Sequence, residues 1–241
     1  MRTLIISDIH ANKTALEAVI KDAGEVDSTY CLGDMVGYGP DPNECVERLL
    51  DIPDLTWIIG NHDAAVLGRI DINTFNYEAK MSLQWQNKTL KSANMRILEI
   101  LPESLVVGDI TLAHGSPCNP IWEYILDART AKSNFSYYQT RFCLVGHTHL
   151  PCIYEQNKDG HVNVRRLSQN EEICLTNRSI INPGSVGQPR DRNPLAAYMI
   201  FESEKLTWQQ RRVAYDVAAV QERILSNGLP TVHAFRLRDG F

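Results

Sequence analysis

The stretch Thr3-Leu4-Ile5-Ile6-Ser7-Asp8-Ile9-His10 passes from a short apolar run straight into a carboxylate and an imidazole. A run of this length, rich in β-branched residues and ended by polar groups, predicts a buried strand with functional side chains at its carboxyl end. The pattern recurs. Residues 29–32 (TYCL) precede Gly33-Asp34, and residues 55–59 (LTWII) precede Gly60-Asn61-His62-Asp63. Residues 110–113 (ITLA) precede His114-Gly115, and residues 142–145 (FCLV) precede Gly146-His147-Thr148-His149. A sixth run, 104–107 (SLVV), carries no such cluster. Continuous apolar character predicts strands covered on both faces, in a parallel or mixed sheet with helices outside.

Amphipathic helices are predicted between the first three strands. In 12–23, Leu16, Val19, Ile20 and Ala23 follow the helical spacing, and 42–50 begins with Pro42 and carries Val46, Leu49 and Leu50. The opening therefore reads β-α-β-α-β, an α/β fold. Residues 75–101 contain no Gly or Pro and predict a helical insertion that either walls the site or packs in the core. Beyond His149, strands are predicted at 153–156, 162–167, 173–175, 179–181, 196–201 and 206–213, with a helix at 217–226. One domain over 1–241, built on two packed sheets, is the expected organisation.

Composition narrows the function classes. Lys and Arg number 24 against 29 Asp and Glu, a formal charge of −5, which gives no global basic field for nucleic acid or an anionic membrane. No apolar run approaches the roughly 18 residues of a membrane span, and Asp8 interrupts the amino terminus before a signal-peptide apolar region could form. The six cysteines include no CxxC pair, so a zinc ribbon or disulfide framework is not expected. Reduced thiols in a cytoplasmic protein are, with Cys31 and Cys143 as core residues.

Five polar clusters at one sheet edge would converge on a single place. Asp8/His10 and His147/His149 are i, i+2 pairs, which an extended backbone presents on one face. Carboxylates, imidazoles and an amide without thiolate suit Mn, Fe, Zn, Co or Ni rather than a structural zinc. Glycines 33, 60, 115 and 146 would let the backbone turn sharply and approach an ion. His161 and His233 lie outside the clusters and read as surface or packing residues, and Arg236-Leu237-Arg238 as a solvated tail.

The order Asp-x-His, Gly-Asp, Gly-Asn-His-Asp, His-Gly, Gly-His-x-His, over roughly residues 3–200, resembles the calcineurin-like metallophosphoesterase superfamily. Residues 182–190, Asn-Pro-Gly-Ser-Val-Gly-Gln-Pro-Arg, are similar to a segment of its small single-domain bacterial and archaeal phosphodiesterase-like members. The resemblance implies a four-layer α/β/β/α sandwich of two mixed sheets with a dinuclear metal site at the carboxyl edge of the strands. It implies two divalent ions per chain, manganese foremost. Asp8, His10, Asp34 and His149 would hold one, and Asp34, Asn61, His114 and His147 the other, with Asp34 bridging. His62 would face the phosphoryl group without ligating.

Two departures bear on substrate. The arginine that protein phosphatases and symmetrical dinucleoside-tetraphosphatases carry shortly after Gly-Asp is absent from Gly33-Asp34-Met35-Val36-Gly37-Tyr38. Ala11 stands where many relatives have glycine. The implied reaction is hydrolysis of a small phosphodiester or nucleotide by a metal-bridging hydroxide. A phosphomonoesterase, a protein or dinucleoside-polyphosphate phosphatase, a nuclease and a non-catalytic scaffold are the alternatives. His62 is the candidate general acid or hydrogen-bond donor, and Asp63 a candidate to orient it. Asn12 reads either as a helix cap or as a phosphate contact, while Tyr38 and Arg190 read as substrate contacts or as solvated turn residues. Oligomeric state is not legible.

Overall fold

A computed structural model describes the whole chain, Met1 to Phe241. β1 (Arg2–Ile6), α1 (Lys13–Ala23), β2 (Ser28–Cys31), α2 (Pro42–Leu50) and β3 (Leu55–Trp57) form the expected β-α-β-α-β opening, its three strands parallel. α3 (Asn61–Val66), a 3₁₀ turn (Ile72–Thr74), α4 (Tyr77–Thr89) and α5 (Ser92–Glu99) come next. The antiparallel pair β4 (Ser104–Val107) and β5 (Ile110–Ala113) then leads to α6 (Ala128–Asn134). β6 (Phe142–Leu144), β7 (Cys152–Gln156), β8 (Val162–Arg165) and β9 (Glu172–Cys174) follow. β10 (Ser179–Asn182), β11 (Ala196–Glu202) and β12 (Thr207–Val213) complete the strands, and α7 (Val217–Ser226) and α8 (Thr231–Asp239) close the chain.

The strands make two mixed six-stranded sheets, ordered β3-β2-β1-β11-β12-β9 and β4-β5-β6-β10-β7-β8. Alternation along β1 shows how they stack. Leu4 and Ile6 pack with Leu16 and Val19 of α1 and Val46 and Leu49 of α2. Ile5 points the other way, into a core between the sheets with Leu112, Leu144, Ile181 and Trp208. Cys143, Tyr154 and Ile180 meet Ala131 of α6 and Phe135 just beyond it on the far face of the second sheet. Helix, sheet, sheet and helix give the four-layer sandwich.

Several expectations are corrected. β4 is an edge strand with Leu105 and Val106 exposed, because only β5 pairs with it. The 75–101 segment is helical as expected, in two helices separated where Leu90 adopts an extended backbone (ψ 129°). α8 takes in the tail read as solvated: Ala234 and Leu237 bury against Val220 and Ile224 of α7. α3 and α6 have six and seven residues, too few to show a helical period. All six cysteines are free, with Cys31 and Cys143 buried as expected. No helix is long and apolar enough to cross a membrane.

Candidate metal centre

The clusters after β1, β2, β3, β5 and β6 meet at one edge, and their metal-capable side chains are almost wholly buried. His10 Nε2 lies 3.1 Å from His149 Nε2, 3.8 Å from Asp8 Oδ1 and 3.6 Å from Asp34 Oδ2. Asp8 Oδ1 is 3.2 Å from His149 Nε2. On the other side, His114 Nε2 lies 3.0 Å from Asn61 Oδ1, 3.2 Å from His147 Nδ1 and 3.3 Å from Asp34 Oδ2. Two candidate ligand sets therefore share one carboxylate oxygen, and His62 with His10 and Asp34 forms a third group close enough to hold an ion.

The donor chemistry fits cations. His10 Nδ1 faces the Val36 carbonyl at 3.0 Å, His114 Nδ1 that of Leu32 at 2.8 Å, and His149 Nδ1 that of Gln188 at 2.6 Å. Each carbonyl requires a proton on Nδ1, which turns the lone pair of Nε2 inward. Lone pairs of His10 and His149 facing each other at 3.1 Å repel unless one ring takes a second proton, which burial disfavours in both, or a cation sits against both. His147 Nε2 is buried without a partner.

Electrostatics agree. Burial pushes His10 and His149 below the usual imidazole range, and His147 down to about 2. Burial opposes ionisation of Asp8 as well, and its carboxyl lies below the usual carboxylate range only with a proton shared from His149 beside it, a place a cation would take. His114 is the exception: burial opposes its charge, but the Asp34 carboxylate lifts it to about 9.

The i, i+2 pairs are not delivered by extended backbone. Asp8, His10, Ala11, Asp34, His147 and His149 all have left-handed φ values, between 48° and 65°. Such conformations cost roughly 1–3 kcal/mol each and concentrate at functional sites. The φ of 48° at Ala11 also explains why glycine suits that position. The segment after β10 holds these turns. Ser185 Oγ donates to the Asp8 carbonyl at 2.8 Å, and Asn182 Nδ2 donates to that of Gly146 at 2.6 Å. Gly60 makes room for a ligand rather than an ion, since a Cβ there would lie 2.1 Å from Asp34 Oδ1.

The remaining expected residues separate. Asp63 does not hydrogen-bond the His62 ring; its oxygens accept from the backbone N–H groups of Asp34 at 2.8 Å, Val36 at 3.0 Å and Gly60 at 3.0 Å. Asn12 caps α1 through Ala15 N at 3.0 Å and donates to the Gly187 carbonyl at 3.0 Å, so the expected cap is present. His62 sits 4.9 Å from the His10 ring, its Nδ1 unpartnered, and burial lowers it to about 4 despite the nearby Asp34 carboxylate. Arg190 donates to the Tyr38 hydroxyl at 3.2 Å and to Gln188 Oε1 at 2.8 Å, and the Tyr38 ring lies 4.4 Å from that of His62.

Two further residues support the site. Buried Gln86 of α4 accepts from Gly37 N at 2.5 Å and donates to the Gly39 carbonyl at 2.8 Å, gripping the turn that carries Tyr38. His233 packs edge-on against Tyr38 with ring centroids 5.0 Å apart. Neither stands near a sequence cluster, and no local pattern marks them. The 75–101 segment is thus core and wall together, because Leu83 and Leu98 bury in the helical core while Phe75 meets His62 edge-on at 4.9 Å.

A family description, the calcineurin-like phosphoesterase superfamily domain, matches residues 1–206. The chain belongs to that superfamily. It is a metal-dependent hydrolase of phosphoester bonds. A crystal structure of a metallophosphoesterase from Sphaerobacter thermophilus is 44% identical, with a TM-score of 0.92 over 100% of this chain and 99% of that one. An uncharacterised protein of Methanocaldococcus jannaschii is 36% identical over 233 residues, 94% of this chain and 93% of its own length. A hypothetical protein from Pyrococcus horikoshii OT3 shares the fold at 22% identity, with a TM-score of 0.82 over 100% of this chain and 98% of that one.

Proposed function

We propose that the protein hydrolyses a small phosphodiester or nucleotide at a centre of two divalent ions, manganese foremost. Asp8, His10 and His149 would hold one ion, Asn61, His114 and His147 the other, and Asp34 would bridge them. The observation that carries this reading is the position of Asp34 Oδ2, 3.6 Å from His10 Nε2 and 3.3 Å from His114 Nε2. When bound, such a pair of ions supplies a hydroxide nucleophile at neutral pH and offsets the charge of the phosphoryl group.

The chain's own residues do the rest. His62 faces the reacting group; neutral in the free protein because burial lowers it to about 4, it donates an N–H hydrogen bond to the leaving oxygen, or a proton once the bound phosphoryl charge favours its protonated form. Arg190, held by Tyr38 and Gln188, orients the non-bridging phosphate oxygens. The missing protein-phosphatase arginine and the net charge of −5 favour a small ester over a phosphoprotein or nucleic acid. Six free cysteines suit the reducing cytoplasm.

The test is a parallel assay of manganese-loaded protein on p-nitrophenyl phosphate and bis-p-nitrophenyl phosphate. Faster turnover of the diester is expected. Faster turnover of the monoester would replace this reading with a phosphomonoesterase.

A further inference from the structure

The segment after His114 carries two aromatic rings on one side. Ile121 packs on the helical core, and Ile125 is buried beside α6. Glu123 accepts from Ser116 Oγ at 2.6 Å and from Asn134 Nδ2 at 2.9 Å, and the Ile125 carbonyl accepts from the Tyr154 hydroxyl at 3.0 Å. With 121, 123 and 125 anchored inward, the intervening Trp122 and Tyr124 turn toward the metal ligands.

Tyr124 lies on the His147 ring, centroids 3.8 Å apart and planes 22° from parallel. It is nevertheless 46% exposed, so the side chain is not sealed by this contact. Trp122 meets Phe75 edge-on at 5.1 Å, and Phe75 meets His62 edge-on at 4.9 Å. Aromatic surface thus borders the site from a candidate ligand to the candidate proton donor. Tyr and Trp rings fastened in this way present flat, rigid contact area at small entropic cost.

We propose that Tyr124 and Trp122 form a stacking subsite for a planar aromatic group of the substrate, a nucleobase in a nucleotide ester. The proposal rests on the phosphoesterase reading, because it requires the phosphoryl group to sit at the metal ligands. Stacking is tolerant of base identity, so the subsite selects for a base without selecting which one.

Manganese-loaded protein is titrated by calorimetry with AMP and with ribose 5-phosphate, which share sugar and phosphate and differ in the base. AMP should bind about 10-fold more tightly. The Trp122→Ala/Tyr124→Ala double variant should bind the two ligands alike, with ribose 5-phosphate unchanged, and Tyr124→Phe should keep the preference. Equal affinities in the unsubstituted protein overturn the proposal, whatever the double variant's folding. So does a preference that survives in the double variant, or one lost in Tyr124→Phe, which would assign the contact to the hydroxyl. Hydrolysis of the chromogenic diester without base preference removes the subsite alone. Base preference without hydrolysis of any phosphoester keeps the subsite and removes the phosphoesterase reading.

Discussion

Asp34 and His62 are joined through the backbone: the His62 N–H donates to Asp34 Oδ1 at 2.9 Å. One carboxylate oxygen is thereby fixed by the chain, and the other, Oδ2, faces both ligand sets. The same bond separates two roles of position 62. Its backbone holds a candidate ligand, while its ring, with centroid 4.9 Å from that of His10, has an unpartnered Nδ1.

Substitution of that ring should leave the centre intact. His62→Ala retains the N–H that holds Asp34, so both ions should stay while kcat falls by about 10²–10⁴-fold if the ring is a general acid. The defect should shrink for esters with acidic leaving groups and grow for alkyl esters. Equal defects for all leaving groups would assign His62 to phosphate stabilisation. Loss of metal would make it a ligand, the role open to it in its grouping with His10 and Asp34.

Gln86 links the helical insertion to the site. Gln86→Leu strands Gly37 N–H and the Gly39 carbonyl, each buried polar group costing about 1–3 kcal/mol. Thermal stability should fall, and KM should rise as the Tyr38 turn shifts, with metal content unchanged. Steady-state kinetics beside a melting curve decides the matter. Lower stability with unaltered KM would reduce the segment to packing.

His233 gives a pH-dependent stability with a definite sign. Burial, with smaller repulsion from Arg236 and Arg190, lowers it to about 4 against 6.5 when unfolded, although the Glu78 carbonyl favours its charge. Between those values the unfolded chain binds the extra proton, so this contribution is full above pH 6.5 and is lost as pH falls toward 4. From pH 7.5 to 5 the protein should lose about 2 kcal/mol more than His233→Gln, read by urea unfolding. Parallel pH profiles would contradict this.

The fold was legible where a run is buried on both faces, as at β1, and where motif follows strand directly. It was misread at β4, whose apolar residues look like those of β1 but lie at a sheet edge with one partner. That the candidate ligand residues converge was legible because each sits within a few positions of a strand end. Their left-handed backbone was not, since the turns at Asp8 and at Gly146–His149 are held by Ser185, Asn182 and the Gln188 carbonyl, which no local pattern links to them. Gln86 and His233 were invisible for the same reason, because tertiary packing alone brings them to Tyr38.

Metal content of three purified proteins, loaded with manganese under identical conditions, tests the shared-carboxylate centre most directly. The unsubstituted chain should hold two ions, His10→Ala should lose chiefly one, and Asp34→Asn should lose occupancy at both positions together with diesterase activity. Two ions per chain persisting in Asp34→Asn would contradict the bridge on which the proposed chemistry depends.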